Sequence, residues 1–191
     1  MRVGFPVYDD ILHAVNKGIN NAYDLYQDWS GGDGLGDAPE SLVQVEIARS
    51  LREVCPFVTL EETVDYILEK SGSKLKGKRP RNSGSGRVDI IVWSNDDKPK
   101  ILLEIKRAWC GYTPEPDARR LRQLLNRKNS IRHGFLVIYT SGGSPETIEN
   151  LFKNIEYECD ATLKHRIGLK EVCSDGEFWY WDAGCFSVDR I

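Results

Sequence analysis

The chain has 191 residues, 26 Lys and Arg against 29 Asp and Glu, and a formal charge of -3. That length suits one domain able to bury a core without disulfide or metal staples, and 40% apolar with 29% charged residues is ordinary for a soluble protein. The charge excludes a uniformly basic, histone-type protein and a polybasic membrane binder.

No apolar run approaches the roughly 18 residues that span a bilayer, and the N-terminal MRVGFPVYDD lacks a leader pattern. The expectation is a cytoplasmic protein with no membrane partner. The five cysteines stand at 55, 110, 159, 173 and 185 with irregular spacing and no CxxC, which points to reduced thiols. His13, His133 and His165 form no HExxH.

Apolar residues recur at helical spacing over 8–29, from Ile11 and Leu12 to Tyr26, and SGGDGLGD ends that helix. A second helix is expected to about Glu53, with Asp37 as cap, Pro39 in the first turn and Val43, Ile47, Leu51 and Val54 on one face. Pro56 stops it. FVTLEETV (57–64) reads as a strand, 65–70 as ambiguous, and the Gly-, Ser- and Lys/Arg-rich 71–87 as a mobile loop. RVDIIVW (87–93) and KILLEIKRAW (100–109) are strong strands around a four-residue turn, NDDK. Asp37 has a counterpart in Asp117, expected to cap a helix over 118–129. GFLVIYT (134–140) is a buried-type strand, Ser144-Pro145 opens a helix to about Ile155, and 166–188 suggests further strands. The order implies an α/β domain around a mixed sheet: an N-terminal helical extension over 1–36 packed on a core domain over 37–191.

The hairpin carries the chemistry. With NDDK as its turn, cross-strand partners have numbers summing to 193, which sets Asp89 opposite Glu104. Lys106 stands two residues beyond Glu104 and shares its face. Two carboxylates between runs such as Ile90–Val92 and Ile101–Leu103 repel each other and lose hydration. A divalent cation held by oxygen ligands makes that arrangement reasonable.

Asp89 followed by Glu104-Ile105-Lys106, on adjacent strands with a helix before and after, resembles the PD-(D/E)XK, restriction-endonuclease-like nuclease superfamily over roughly 40–155. The resemblance implies an α-β-β-β-α-β core with an added N-terminal helix and C-terminal strands. It also implies Mg²⁺-dependent hydrolysis of phosphodiesters, with Mn²⁺ able to substitute and DNA as substrate. Asp89, Glu104 and the Ile105 carbonyl would hold metal, and Lys106 would position or activate the attacking water. The proline of the motif is absent, Val88 standing before Asp89. Glu46 is the candidate for the extra helix carboxylate that many members carry, and Gln123 for a polar residue that some place near the site.

Two windows are basic without any acidic residue. One holds Lys74, Lys76, Lys78, Arg79, Arg81 and Arg87; the other Arg119, Arg120, Arg122, Arg127, Lys128 and Arg132. They contain 12 of the 26 basic residues and adjoin the expected site, so phosphate-backbone contacts are assigned to Lys76, Lys78, Arg79, Arg81, Arg87, Arg119 and Arg122, with Gln123 beside them. Trp93, Trp109, Trp179, Tyr180 and Trp181 offer rings that could stack on nucleic-acid bases, but burial in the core or in a partner interface is the expectation for them. GSKLKGKR (72–79) ends in Arg where a phosphate loop needs Ser or Thr, so no nucleotide cofactor is expected. The alternative is a nuclease-fold module that binds nucleic acid or protein without cutting; a homodimer or a protein partner is compatible with either reading.

Overall fold

The computed structural model describes residues 6–73, 86–109, 111–174 and 177–190. In chain order the elements are helix α1 (Tyr8–Ser30), a 3-10 turn (Leu35–Asp37), α2 (Glu40–Val54), β1 (Phe57–Thr63), α3 (Val64–Lys70), β2 (Arg87–Trp93), β3 (Pro99–Ala108), α4 (Glu115–Leu125), β4 (His133–Gly142), α5 (Pro145–Cys159), β5 (Ala161–Arg166), β6 (Lys170–Ser174) and β7 (Glu177–Val188). Among the described residues the fold is α/β, a mixed sheet of seven strands flanked by five helices. The strand order is β1-β2-β3-β4-β7-β5, with β6 also paired to β7. Only the β3–β4 pair is parallel, because α4 carries the chain back across the sheet between them.

Alternation along the central strands builds two cores. Ile101, Leu103 and Ile105 of β3, with Phe135, Val137 and Tyr139 of β4, face α1 and α2. Leu102 of β3, with Leu136 and Ile138 of β4, faces α3, α4 and α5. This parity puts Glu104 and Lys106 on the α4 side and Arg107 on the α2 side. The apolar stripe of α1, Ile11, Leu12, Val15, Ile19 and Ala22, belongs to the same cluster as α2 and the sheet. The two helices touch backbone to backbone at Gly18, where an added Cβ would lie 2.4 Å from Ile47 Cα.

The local departures from expectation have identifiable causes. Residue 39 caps α2 as a proline without a side-chain bond, because the Asp37 carboxylate takes the Arg107 guanidinium at 3.0 Å instead. Helix α4 begins three residues early, at Glu115 after Pro114, and Asp117 spends its carboxylate on Arg120 within the first turn. It ends at Leu125, short of 129. The ambiguous 65–70 stretch is helical, capped by Thr63 accepting from Tyr66 N–H. Ser144 caps α5 as the sequence indicates, accepting from Thr147 N–H. The hairpin keeps its expected register through Ile90–Leu103, Ile91–Leu102 and Val92–Ile101, then shifts to Trp93–Pro99. The turn is therefore bulged, with Ser94 N–H donating to the Lys98 carbonyl and Asp97 at a φ of 56°. Among the described residues no helix is long and apolar enough to cross a membrane, and Cys55, Cys159, Cys173 and Cys185 are free thiols.

Candidate active site

The β2–β3 ladder stops at Ile90–Leu103, one pair short of the site. Beyond it Asp89 meets β3 with its side chain rather than its main chain: Oδ2 accepts the Ile105 N–H at 2.7 Å. In an extended strand a residue's N–H and C=O point to the same side. The Ile105 carbonyl thus faces the same gap as the Asp89 carboxylate. Gln44 of α2 steadies the parting strands, donating from Nε2 to the Asp89 carbonyl at 2.7 Å and to Glu61 Oε1 at 2.9 Å. Glu61 sits at a φ of 56°, in the left-handed region that costs a side-chain-bearing residue about 1 kcal/mol or more.

Glu104 forms the floor, with a side chain that is 0% exposed. Arg120 of α4 donates both Nε (3.0 Å) and Nη2 (2.6 Å) to one oxygen, Oε1, and Nη2 also reaches Asp117 Oδ1 at 2.7 Å. The other oxygen, Oε2, is buried and has no hydrogen-bond partner among the described residues. Lys106 Nζ lies between the carboxylates, 3.4 Å from Asp89 Oδ2 and 3.9 Å from Glu104 Oε2. Glu40, in the first turn of α2, accepts the Arg107 N–H at 2.9 Å and closes the end of the strand.

The electrostatics follow from that crowding. Burial, then the adjacent Asp89 charge, pushes the Glu104 carboxyl up to about 8, although Arg120 and Lys106 oppose the shift. Burial alone would depress Lys106, but the charges of Asp89 and Glu104, then Asp117 and Glu40, outweigh it and raise its pKa. Lys106 is therefore an ammonium, suited to donating hydrogen bonds and balancing charge rather than to removing a proton.

Asp89, Glu104, Ile105 and Lys106 are brought together as the strand pattern implies. Glu46 is not: it is 6% exposed, its carboxylate stands 3.7 Å from Arg49, and its main chain packs against Gly18 of α1. One hundred degrees per residue carries Glu46 around the helix from the sheet-facing line of Glu40, Gln44, Ile47 and Leu51. Gln123 is half-buried on α4, but the α4 group bonded to Glu104 is Arg120. Arg122 turns away as well, donating to the Cys159 and Asp160 carbonyls at the end of α5. Arg119 is exposed and pairs with Glu115 at 2.5 Å, while Arg87 is exposed at the start of β2. Lys76, Lys78, Arg79 and Arg81 lie outside the described residues.

Among the described residues no three His, Cys, Asp or Glu side chains are gathered as a metal-ligand set. Asp89, Glu104 and the Ile105 carbonyl amount to two carboxylates and a main-chain oxygen, an all-oxygen donor set of the kind that suits Mg²⁺, which keeps several waters. The unpartnered Glu104 Oε2 fits such an ion. No family model, curated protein or solved structure matches this chain.

Proposed function

We propose that this chain is a Mg²⁺-dependent nuclease of the PD-(D/E)XK type acting on DNA. One observation carries the reading: a fully buried carboxylate with a bare oxygen faces a second carboxylate and an ammonium where two central strands part. The order α2-β1-β2-β3-α4-β4, with the three key residues on β2 and β3, supports the restriction-endonuclease-like core; α3 is an insertion between its first two strands. Asp89, Glu104 and the Ile105 carbonyl would hold the ion. When bound, Mg²⁺ supplies Lewis-acid polarisation of the phosphoryl group and lowers the pKa of a water. Lys106 donates hydrogen bonds to the attacking water or a phosphoryl oxygen and offsets charge gathering there. Arg120 holds Glu104 by one oxygen and leaves the other free.

A second reading draws on the same Arg120 contact. Arg120 and Lys106 already ion-pair with Glu104 and with its neighbours Asp117 and Asp89, which suits a module that binds DNA and does not cut it. Incubation of supercoiled plasmid and single-stranded DNA with Mg²⁺, Mn²⁺ or EDTA decides between them. The nuclease reading expects metal-dependent cleavage by the wild type and none by Glu104→Gln or Lys106→Met. Salt-sensitive binding with no metal-dependent turnover sinks it in favour of the second, and variants that cut as well as the wild type sink the assignment of this site.

A further inference from the structure

The tryptophans of the chain lie in different environments. Trp93 and Trp181 are 3% and 1% exposed and belong to the cores. Trp109 is 58% exposed, one residue past the end of β3 and three past Lys106. Its indole lies against Tyr112, with ring centroids 4.8 Å apart and planes 38° apart. A tight turn makes the pair: Tyr112 N–H donates to the Trp109 carbonyl at 2.9 Å, and Gly111 takes the φ of 83° that this reversal requires. Tyr112 is the anchored member, packed on the core beneath α4 and α5. It also belongs to the site's electrostatic neighbourhood, since the charges of Asp117, Lys106 and Glu40 all act on its hydroxyl.

We infer that Trp109, propped on Tyr112, is a stacking platform for an unpaired base next to the reacting phosphate, and that the substrate is single-stranded DNA. The inference rests on the nuclease reading for its placement. Trp109 stands roughly 10 Å along the chain from Lys106, a span that a nucleotide adjoining the phosphate bridges. A flat aromatic face held by a second ring accepts any base without reading its edges, and a base already paired and stacked in a duplex cannot reach it. Trp29 and Trp179 are also exposed, at 66% and 48%, but neither is tied to the Asp89–Glu104–Lys106 cluster.

The test uses the full chain in EDTA, so that no cleavage is needed. Fluorescence anisotropy would compare a labelled single-stranded oligonucleotide, a duplex of the same sequence, and a single strand made of abasic residues. Wild type should prefer the single strand with bases. Trp109→Ala should weaken that binding about tenfold, Trp109→Phe should keep most of it, and neither should change duplex or abasic binding. Equal affinity of Trp109→Ala and wild type for the single strand overturns the platform. Parallel losses on all three probes overturn it too, by reducing Trp109 to a general effect on the fold. Failure of the catalytic reading would show separately, as unchanged cleavage by Glu104→Gln, and would leave the anisotropy result standing.

Discussion

Among the described residues two carboxylates, Asp182 and Glu104, have fully buried side chains and each has an arginine partner, yet they are built differently. Asp182 of β7 has both oxygens occupied. Oδ2 accepts from Arg166 Nε at 2.5 Å, and Oδ1 accepts the main-chain N–H groups of Ala183 (2.7 Å) and Gly168 (3.1 Å). Arg166 is shared in turn with Glu149 at 2.6 Å. Glu104 has its two donors crowded onto one oxygen, the other bare, and a second carboxylate beside it. Burial and an ion pair are common to both. What separates a tie that closes a structure from a group held ready for something else is how the donors are distributed over the two oxygens.

The comparison breaks most visibly under substitution. Asp182→Ala strands two main-chain donors and leaves Arg166 with Glu149 alone, and should cost about 3–5 kcal/mol in urea unfolding, with cleavage per folded molecule retained. Glu104→Gln should do the reverse: cleavage lower by about 10²–10³-fold or more, and stability within about 1 kcal/mol of wild type or above it. Matching losses of stability in both variants would erase the distinction.

A pH series sharpens it. The Glu104 carboxyl titrates near 8 in the fold against an ordinary 4.5, so the folded chain binds the extra proton between those values. The associated stability is fully present below about pH 4.5 and is lost as pH rises through about 8. In EDTA, Tm should fall across that window in the wild type, and the slope should be absent from Glu104→Gln. Added Mg²⁺, which favours the charged carboxylate, should flatten the wild-type slope.

The smallest effects concern α2. Glu40→Ala removes the acceptor that closes β3 beside Lys106 and should lower cleavage about tenfold. Glu46→Gln, facing α1 and Arg49, should leave cleavage unchanged and move stability by about 0.5 kcal/mol or less. Equal losses of cleavage would return Glu46 to the site.

Asp89, Glu104 and Lys106 were legible in the sequence because a hairpin is local. Its register and the twofold alternation of a strand determine which side chains meet, and neither depends on the rest of the fold. The helical members were not legible to the same degree. The stripe Val43, Ile47 and Leu51 is apolar and buried as its spacing implies, but Glu46 lies next to Ile47 in sequence and about 100° from it around the helix. The spacing of Glu40 and Gln44, seven and three residues before Ile47, continues the sheet-facing line and was the available signal. Arg120 hid among the other arginines of a basic window. Only the docking of α4 on the sheet distinguishes its guanidinium, spent on Glu104, from that of Arg119, spent on the helix surface. The fold class followed from the order of elements, whereas α3 and the early start of α4 reflect short-range caps and proline geometry that composition conveys poorly.

Gly18 gives the site a dimension set from outside it. With 2.4 Å between its absent Cβ and Ile47 Cα, α1 and α2 rest against each other with no side chain as a shim. That contact sets how closely α2 lies against α1, and α2 is the helix that carries Glu40 and Gln44 to the strands. A methyl group at position 18 would act as a misplaced spacer, felt two helical turns away by residues it never touches. The back of the molecule, where α1 meets α2 with no side chain between them, thus bears on the gap between Asp89 and Glu104.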